Sequence, residues 1–211
     1  LLHDNWETVY PTLLFEVGIP GPTGYSILWS NVTDLLNFLP AQGTSGPLTS
    51  DFFDATSSSA GAIGGNVSAL HINIDFSDAG LLSTYQGIKF GDLVLCNFSS
   101  LPALNGLTVR QFESMADILL GGGTSTYTIA QLDLMIDDLN AAFGGGTASQ
   151  FAQDHLKKGW KNGDVISYAQ DAWGTSPGPN NAAGLLVTNY DAVYAFTGGE
   201  VTTSAQQGTQ T

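Results

Sequence analysis

Between Asn66 and Asp78 the chain reads NVSALHINIDFSD, where Leu70, Ile72, Ile74 and Phe76 alternate with His71, Asn73 and Asp75. Strict alternation is the period of a strand with one buried and one polar face, so the segment predicts a half-buried β-strand. GDLVLCNF at 91–98 reads as a second buried strand. The N-terminal third reads as three more, WETVY, LLFEVGI and YSILWS, separated by Pro11 and by the turn-rich PGPTG at 20–24. Pro11 places the first of these at an edge or a bend.

The period changes after residue 107. Thr108-Val-Arg-Gln111 and Thr128-Ile-Ala-Gln131 are both capping-box patterns, and each opens a helix that closes on three glycines, 121–123 and 144–146. Val109, Phe112, Met115, Ala116 and Leu119 make one apolar stripe, and Ile129, Leu132, Met135, Ile136 and Leu139 make the other. The pattern predicts a helical hairpin at about 107–145, with glycine ends that let it fold back on the sheet. A short helix is expected at 31–39, stopped by Pro40, and another at 148–158. β character returns in DVISYAQ (164–170) and GLLVTNYDAVYAFT (184–197), ahead of a polar tail at 202–211. The expected fold is mainly β with a helical insertion: a β-sandwich carrying the hairpin over 1–163, then a C-terminal strand pair over 164–201.

Five Lys and Arg stand against 19 Asp and Glu, a formal net charge of −14. Such a field repels phosphate backbones and anionic headgroups, which argues against nucleic acid as a partner. The apolar runs are too short to span a bilayer, so no membrane insertion is expected. The single cysteine, Cys96, excludes a disulfide within the chain and reads as a small buried hydrophobe. Abundant Gly, Ser and Thr with little Lys suit an extracellular or cell-surface protein.

Several residue sets could carry chemistry. His71, Asn73 and Asp75 at i, i+2 and i+4 would share one strand face, a spacing that can place ligands about a metal. A solvated strand face accounts for them more simply, and no second His-rich segment supplies further ligands, so zinc is not expected. Calcium suits the hard oxygens of Asp51 with Asp54, Asp75 with Asp78, or Asp171 with Asn180 and Asn181, although none of these forms an EF-hand loop. The same carboxylates, or Asp137 with Asp138, are the candidates for a glycosidase pair. Trp6, Trp29, Trp160, Trp173, Tyr25, Tyr190 and Tyr194 are enough aromatics for a sugar-stacking platform, with core packing as the plainer account. Three sequons, at Asn31, Asn66 and Asn97, are close to the number that composition alone produces. Otherwise no cofactor is implied.

LPALNGLTVRQF, LGGG, YTIAQLD and LNAAF, with FEVGIPGPTGYSILW upstream and INIDFSDAGLL and FGDLVLCN between, resemble the recurring module of large secreted or cell-surface bacterial proteins. The resemblance spans nearly the whole chain and implies no catalytic residues. It also implies that NGDVISYAQDAWG and GLLVTNYDAVY are the opening of a following module.

The two ends echo each other. Aligned without a gap, NWETVYPTLLFEV (5–17) and NYDAVYAFTGGEV (189–201) match at Asn5/Asn189, Val9/Val193, Tyr10/Tyr194, Glu16/Glu200 and Val17/Val201. The expectation is a non-enzymatic structural subunit of an extracellular filament or surface layer. It would polymerise head to tail, with Val165, Tyr168, Leu185, Val187, Tyr190, Val193, Tyr194 and Phe196 added as strands to another copy. A surface adhesin or carbohydrate-binding module, with glycans as partners, is the alternative, and a glycoside hydrolase the weaker one.

Overall fold

A computed structural model describes residues 1–159. In chain order they form helix α1 (Leu2–Val9), strands β1 (Phe15–Gly18) and β2 (Ser26–Trp29), helix α2 (Val32–Phe38), strand β3 (Phe52–Phe53), helix α3 (Ala62–Asp78), strand β4 (Leu93–Leu95), helices α4 (Val109–Leu120), α5 (Ile129–Ala141) and α6 (Gln150–His155), and strand β5 (Leu156–Lys158). β1 and β2 pair antiparallel with Phe15 opposite Trp29, and β3 joins β2 in parallel with Ile27 opposite Phe52. β4 and β5 form a separate antiparallel ladder with Leu93 opposite Lys158. The expected mainly-β sandwich is therefore overturned. Among the described residues helices carry most of the core, strands make only two small sheets, and the fold is α+β.

The largest departure is NVSALHINIDFSD, which lies inside the 17-residue helix α3 and not in a strand. Ile63, Val67, Leu70 and Ile74, spaced by four, three and four, form a fully buried helical stripe. The polar residues between them are taken up by neighbouring helices. Asn66 and Asn73, two turns apart, donate to Asp133 (2.9 Å) and Asn140 (3.1 Å) of α5, and the Asn140 amide donates back to the Asn66 carbonyl (2.9 Å). His71 and Asp75 face α4 instead. A helix covered on several sides loses the one-sided apolar stripe by which helices are recognised, and this sequence then imitates a strand.

WETVY is also helical. Trp6 and Tyr10, four apart, come to the same side, with ring centroids 4.7 Å from each other and 6.4 and 5.2 Å from Phe15. The aromatic chain continues through Phe15, Trp29 and Phe38. The part of the N-terminal segment that echoes residues 189–194 is thus not a strand. FEVG and SILW do form strands, while the strand expected over 91–98 is confined to Leu93–Leu95.

Both capping boxes are made. Gln111 N–H donates to Thr108 Oγ1 (3.2 Å) and Thr108 N–H to Gln111 Oε1 (2.9 Å), and Thr128 and Gln131 repeat the arrangement. Asn31 caps α2 through Asp34 N–H (2.9 Å). α4 and α5 both pack along α3. The glycines after α4 are a docking point, not a loose end: Tyr25 N–H donates to the Gly121 carbonyl (3.0 Å) and Leu48 N–H to that of Leu120 (2.8 Å). A Cβ on Gly121 would stand 2.7 Å from the backbone nitrogen of Ile19, so only glycine admits this approach.

The strand pair placed at 164–201, including Val165, Tyr168, Leu185, Val187, Tyr190, Val193, Tyr194 and Phe196, lies outside the described residues.

Helix and strand readings of 66–78 make different demands on Ile72, which is only partly buried while Leu70 and Ile74 are sealed. Leu70→Ala and Ile74→Ala are each expected to cost about 2–5 kcal/mol in chemical denaturation. Ile72→Ala should cost less than half as much. Equal losses at all three positions would fit the alternating strand and contradict the helix.

Candidate functional site

Glu113 and Asp117 stand four apart on α4, next to the core residues Phe112 and Ala116, and so lie on one helical face. His71 and Asp75, also four apart, meet them from α3. His71 Nδ1 is 3.1 Å from Glu113 Oε1, and its Nε2 is 3.6 Å from Asp75 Oδ2. Asp117 Oδ1 accepts the Gly18 N–H at 2.7 Å, which ties the cluster to the end of β1. Ligand-type atoms of His71, Glu113 and Asp117 all lie within 4.8 Å of one another. Phe15 packs edge-on to the imidazole at 5.3 Å, and Arg110 closes the flank by pairing with Asp78 (2.8 Å) and Asp92 (3.7 Å).

Glu113 is 6% exposed, a depth at which carboxylates are rare without a partner. Despite their short separation, His71 Nδ1 and Glu113 Oε1 lack the alignment of a hydrogen bond, and both atoms are sealed from solvent. The Tyr10 hydroxyl and Trp6 Nε1 are likewise buried without an aligned partner.

The charges perturb one another strongly. Burial alone would lower the His71 pKa, but Glu113, Asp75 and Asp117 outweigh it and raise it to about 9. Burial and the neighbouring Glu113 push Asp117 up to about 8. For Glu113, burial acts upward, yet His71, Asp117 and Arg110 hold its carboxyl below the ordinary value. Burial raises Asp75, and burial together with the Asp75 charge raises the Tyr10 hydroxyl.

A second feature is a cavity of about 530 Å³ beside α3 and α5. Tyr85 and Phe143 line it with ring centroids 4.9 Å apart, and Phe90 meets Phe143 edge-on at 6.0 Å. Asn73 and Asn140, hydrogen-bonded to each other, supply amides, and Ser83 and Thr84 supply hydroxyls. Tyr85 is positioned by a tight turn: it exchanges backbone hydrogen bonds with Ile88 (3.0 and 2.9 Å) across Gln86 and Gly87, both at positive φ. Among the described residues, no carboxylate, imidazole, amine or thiol lines the cavity.

The residues singled out from sequence divide among several roles. Asp51 accepts the Ser26 N–H (2.9 Å), and Asp54 accepts the Ser30 N–H and hydroxyl (2.6 and 2.7 Å), so both staple the loop to β2. Asp78 pairs with Arg110, and Asp137 and Asp138 are exposed on α5. Trp6 and Trp29 are core residues, while Tyr25 is exposed. Asp171, Asn180, Asn181, Trp160, Trp173, Tyr190 and Tyr194 lie outside the described residues. Of the His71, Asn73 and Asp75 trio, the helix keeps His71 and Asp75 together and sends Asn73 to the cavity. Glu113 and Asp117 were missed by sequence reading, because an acidic pair bordering the apolar stripe of a helix carries no local mark that it is buried.

Comparison with known proteins finds no matching family model, no matching curated protein and no matching solved structure. Among the described residues, no helix is long and apolar enough to cross a membrane.

The folded state holds protons on His71 and Asp117 that the unfolded chain releases at lower pH, so stability declines as pH rises. The decline runs from 3.8 to about 8 for Asp117 and from 6.5 to about 9 for His71, each by up to about 1.4 kcal/mol per pH unit. Below its ordinary value of 4.5, Glu113 acts in the opposite sense. With EDTA present, the melting temperature is expected to fall on going from pH 6.5 to 9, and the His71 ring to titrate near 9 by NMR. Glu113→Gln should move that midpoint down. A His71 midpoint at or below 6.5 in the native chain would contradict the electrostatic account.

Proposed function

We propose that residues 1–159 are a non-enzymatic binding module of an extracellular or cell-surface protein, and that the cavity beside α3 and α5 takes a neutral, polyhydroxylated ligand of the glycan class. The observation that carries this reading is the composition of the cavity wall. Among the described residues, three aromatic rings, two amides and the hydroxyls of Ser83, Thr84 and Tyr85 line it, without a carboxylate, imidazole or amine. A sugar presents apolar C–H faces and a rim of hydroxyls. Rings such as Tyr85 and Phe143 match the faces, and amides and hydroxyls match the rim. With its nitrogen engaged by Asn140, Asn73 keeps its carbonyl oxygen for a ligand hydroxyl. A wall without a cation among the described residues, on a chain of net charge −14, disfavours acidic or phosphorylated sugars. Composition and the resemblance to surface modules support the location.

Screening the full chain on an array of neutral and acidic glycans, followed by calorimetry of the hits, is expected to find neutral ligands. Tyr85→Ala should weaken the best of them about tenfold or more, equivalent to at least about 1.4 kcal/mol. Binding confined to acidic glycans, or neutral binding unchanged in Tyr85→Ala, would remove the cavity from consideration.

Head-to-tail assembly into a filament or surface layer is a second reading. Leu13 and Leu14, immediately before the edge strand β1, are 43% and 47% exposed, and a strand added from residues 185–197 of another copy would cover apolar surface of this kind. Size exclusion and negative-stain imaging of the full chain should then show concentration-dependent polymers. A version ending at Gly159 should stay monomeric, and monomers in both at high concentration would exclude the polymer.

A further inference from the structure

We propose that His71, Glu113 and Asp117 form a site for a divalent first-row transition metal, with zinc the closest match to the donors. The set combines one imidazole with two carboxylates. Such ligands hold zinc at about 2.0–2.2 Å, which at a tetrahedral angle separates neighbouring ligand atoms by roughly 3.3–3.6 Å. His71 Nδ1 and Glu113 Oε1 are 3.1 Å apart, a spacing two ligands of one ion would have. All three ligand atoms fall within 4.8 Å of each other, a gap that carboxylate rotation can shorten.

A second observation points to a ligand independently of the clustering. Glu113 is 6% exposed, and its Oε1 and the facing Nδ1 of His71 have neither solvent nor an aligned hydrogen bond. The two atoms face each other as an ion pair without hydrogen-bond alignment, so the buried Glu113 oxygen is under-satisfied and can take a further partner. An ion between them would satisfy both lone pairs at once.

The surroundings supply the remaining parts of such a site. Asp75 lies 3.6 Å from Nε2, on the far side of the ring from Glu113, where it favours a proton on Nε2, so that a metal at Nδ1 displaces only the proton facing Glu113. The Gly18 N–H fixes one oxygen of Asp117, and the Asp117 carboxyl also interacts directly with Glu113. Among the described residues the α3 side of the cluster is the one nearest solvent, the side chains of His71 and Asp75 being 29% and 26% exposed. Three protein ligands leave one position for water.

The main competing account is adventitious binding to an acidic surface, and the test is built to separate the two. Full-length protein stripped with EDTA is titrated with zinc by calorimetry, and with cobalt(II) by visible absorption. One tight equivalent of zinc and cobalt bands with nitrogen–oxygen character are expected, together with a rise in melting temperature. His71→Gln and Glu113→Gln should abolish the one-to-one site, and Asp75→Asn should weaken it roughly 10- to 100-fold. Asp137→Asn/Asp138→Asn, on the exposed face of α5, should leave it unchanged. If a substitution at the cluster prevents folding, NMR of the native chain still decides, because zinc must shift the His71 ring before any other histidine. Weak multi-site binding, loss through the α5 variant, or an unshifted His71 ring would each overturn the proposal.

Discussion

Burial of α3 against α4, α5 and the end of β1 is the constraint on which the rest of residues 1–159 depends. A helix covered on several faces places its polar side chains where water cannot reach them freely, and each must then find a partner within the protein or cost about 1–3 kcal/mol. The chain meets this by giving each polar face of α3 its own neighbour. Asn66 and Asn73 bond across to Asp133 and Asn140, which sets the axial register of α5, since both pairs keep a spacing of seven residues. The His71–Glu113 pair ties α4 to α3, and the Gly18–Asp117 hydrogen bond links α4 to the sheet. Polar pairing therefore fixes how the helices align, while Ile63, Val67, Leu70 and Ile74 supply the apolar area that holds them together.

The same constraint explains what could be read from the sequence. The capped helices α4 and α5 were legible because a capping box is local: donor, acceptor and spacing all lie within four residues. The β1–β2 hairpin was legible for a similar reason, from short β-rich runs around a Pro-Gly turn. α3 was not, because the partners that let it bury His71, Asn73 and Asp75 lie on helices some 40 to 70 residues further along. Without them, the polar positions read as solvated and the alternation as a strand. α1 was misread for a related reason, since WETVY has strong β propensity and only the packing of Trp6 and Tyr10 with Phe15 favours the helix. The buried carboxylates of α4 were invisible in the same sense: nothing local distinguishes Glu113 from a solvated glutamate until α3 covers it.

Replacing a strand by a helix also redistributes the candidate chemistry. On a strand, residues at i, i+2 and i+4 share a face. On a helix, i and i+2 are separated by roughly 200° while i and i+4 nearly coincide. His71 and Asp75 consequently stay together and meet Glu113 and Asp117, whereas Asn73 turns to the other side and enters the cavity wall with Asn140 and Phe143. One sequence motif thus serves two separate places in the fold.

This separation bears on whether the protein hydrolyses sugars. A glycosidase needs two carboxylates facing each other across a space large enough for a sugar ring, about 5–9.5 Å apart according to mechanism. Among the described residues the two requirements are met on different sides of α3. The cavity large enough for a sugar has no carboxylate of the described residues in its wall, and the carboxylates of the buried cluster are packed among Phe15, Tyr10 and Arg110. An acid in the cluster would have to cross the body of α3 to reach a ligand held by Tyr85 and Phe143. This placement supports the proposal of a binding cavity on one side of α3, while on the other side the His71–Glu113 pair ties α3 to α4.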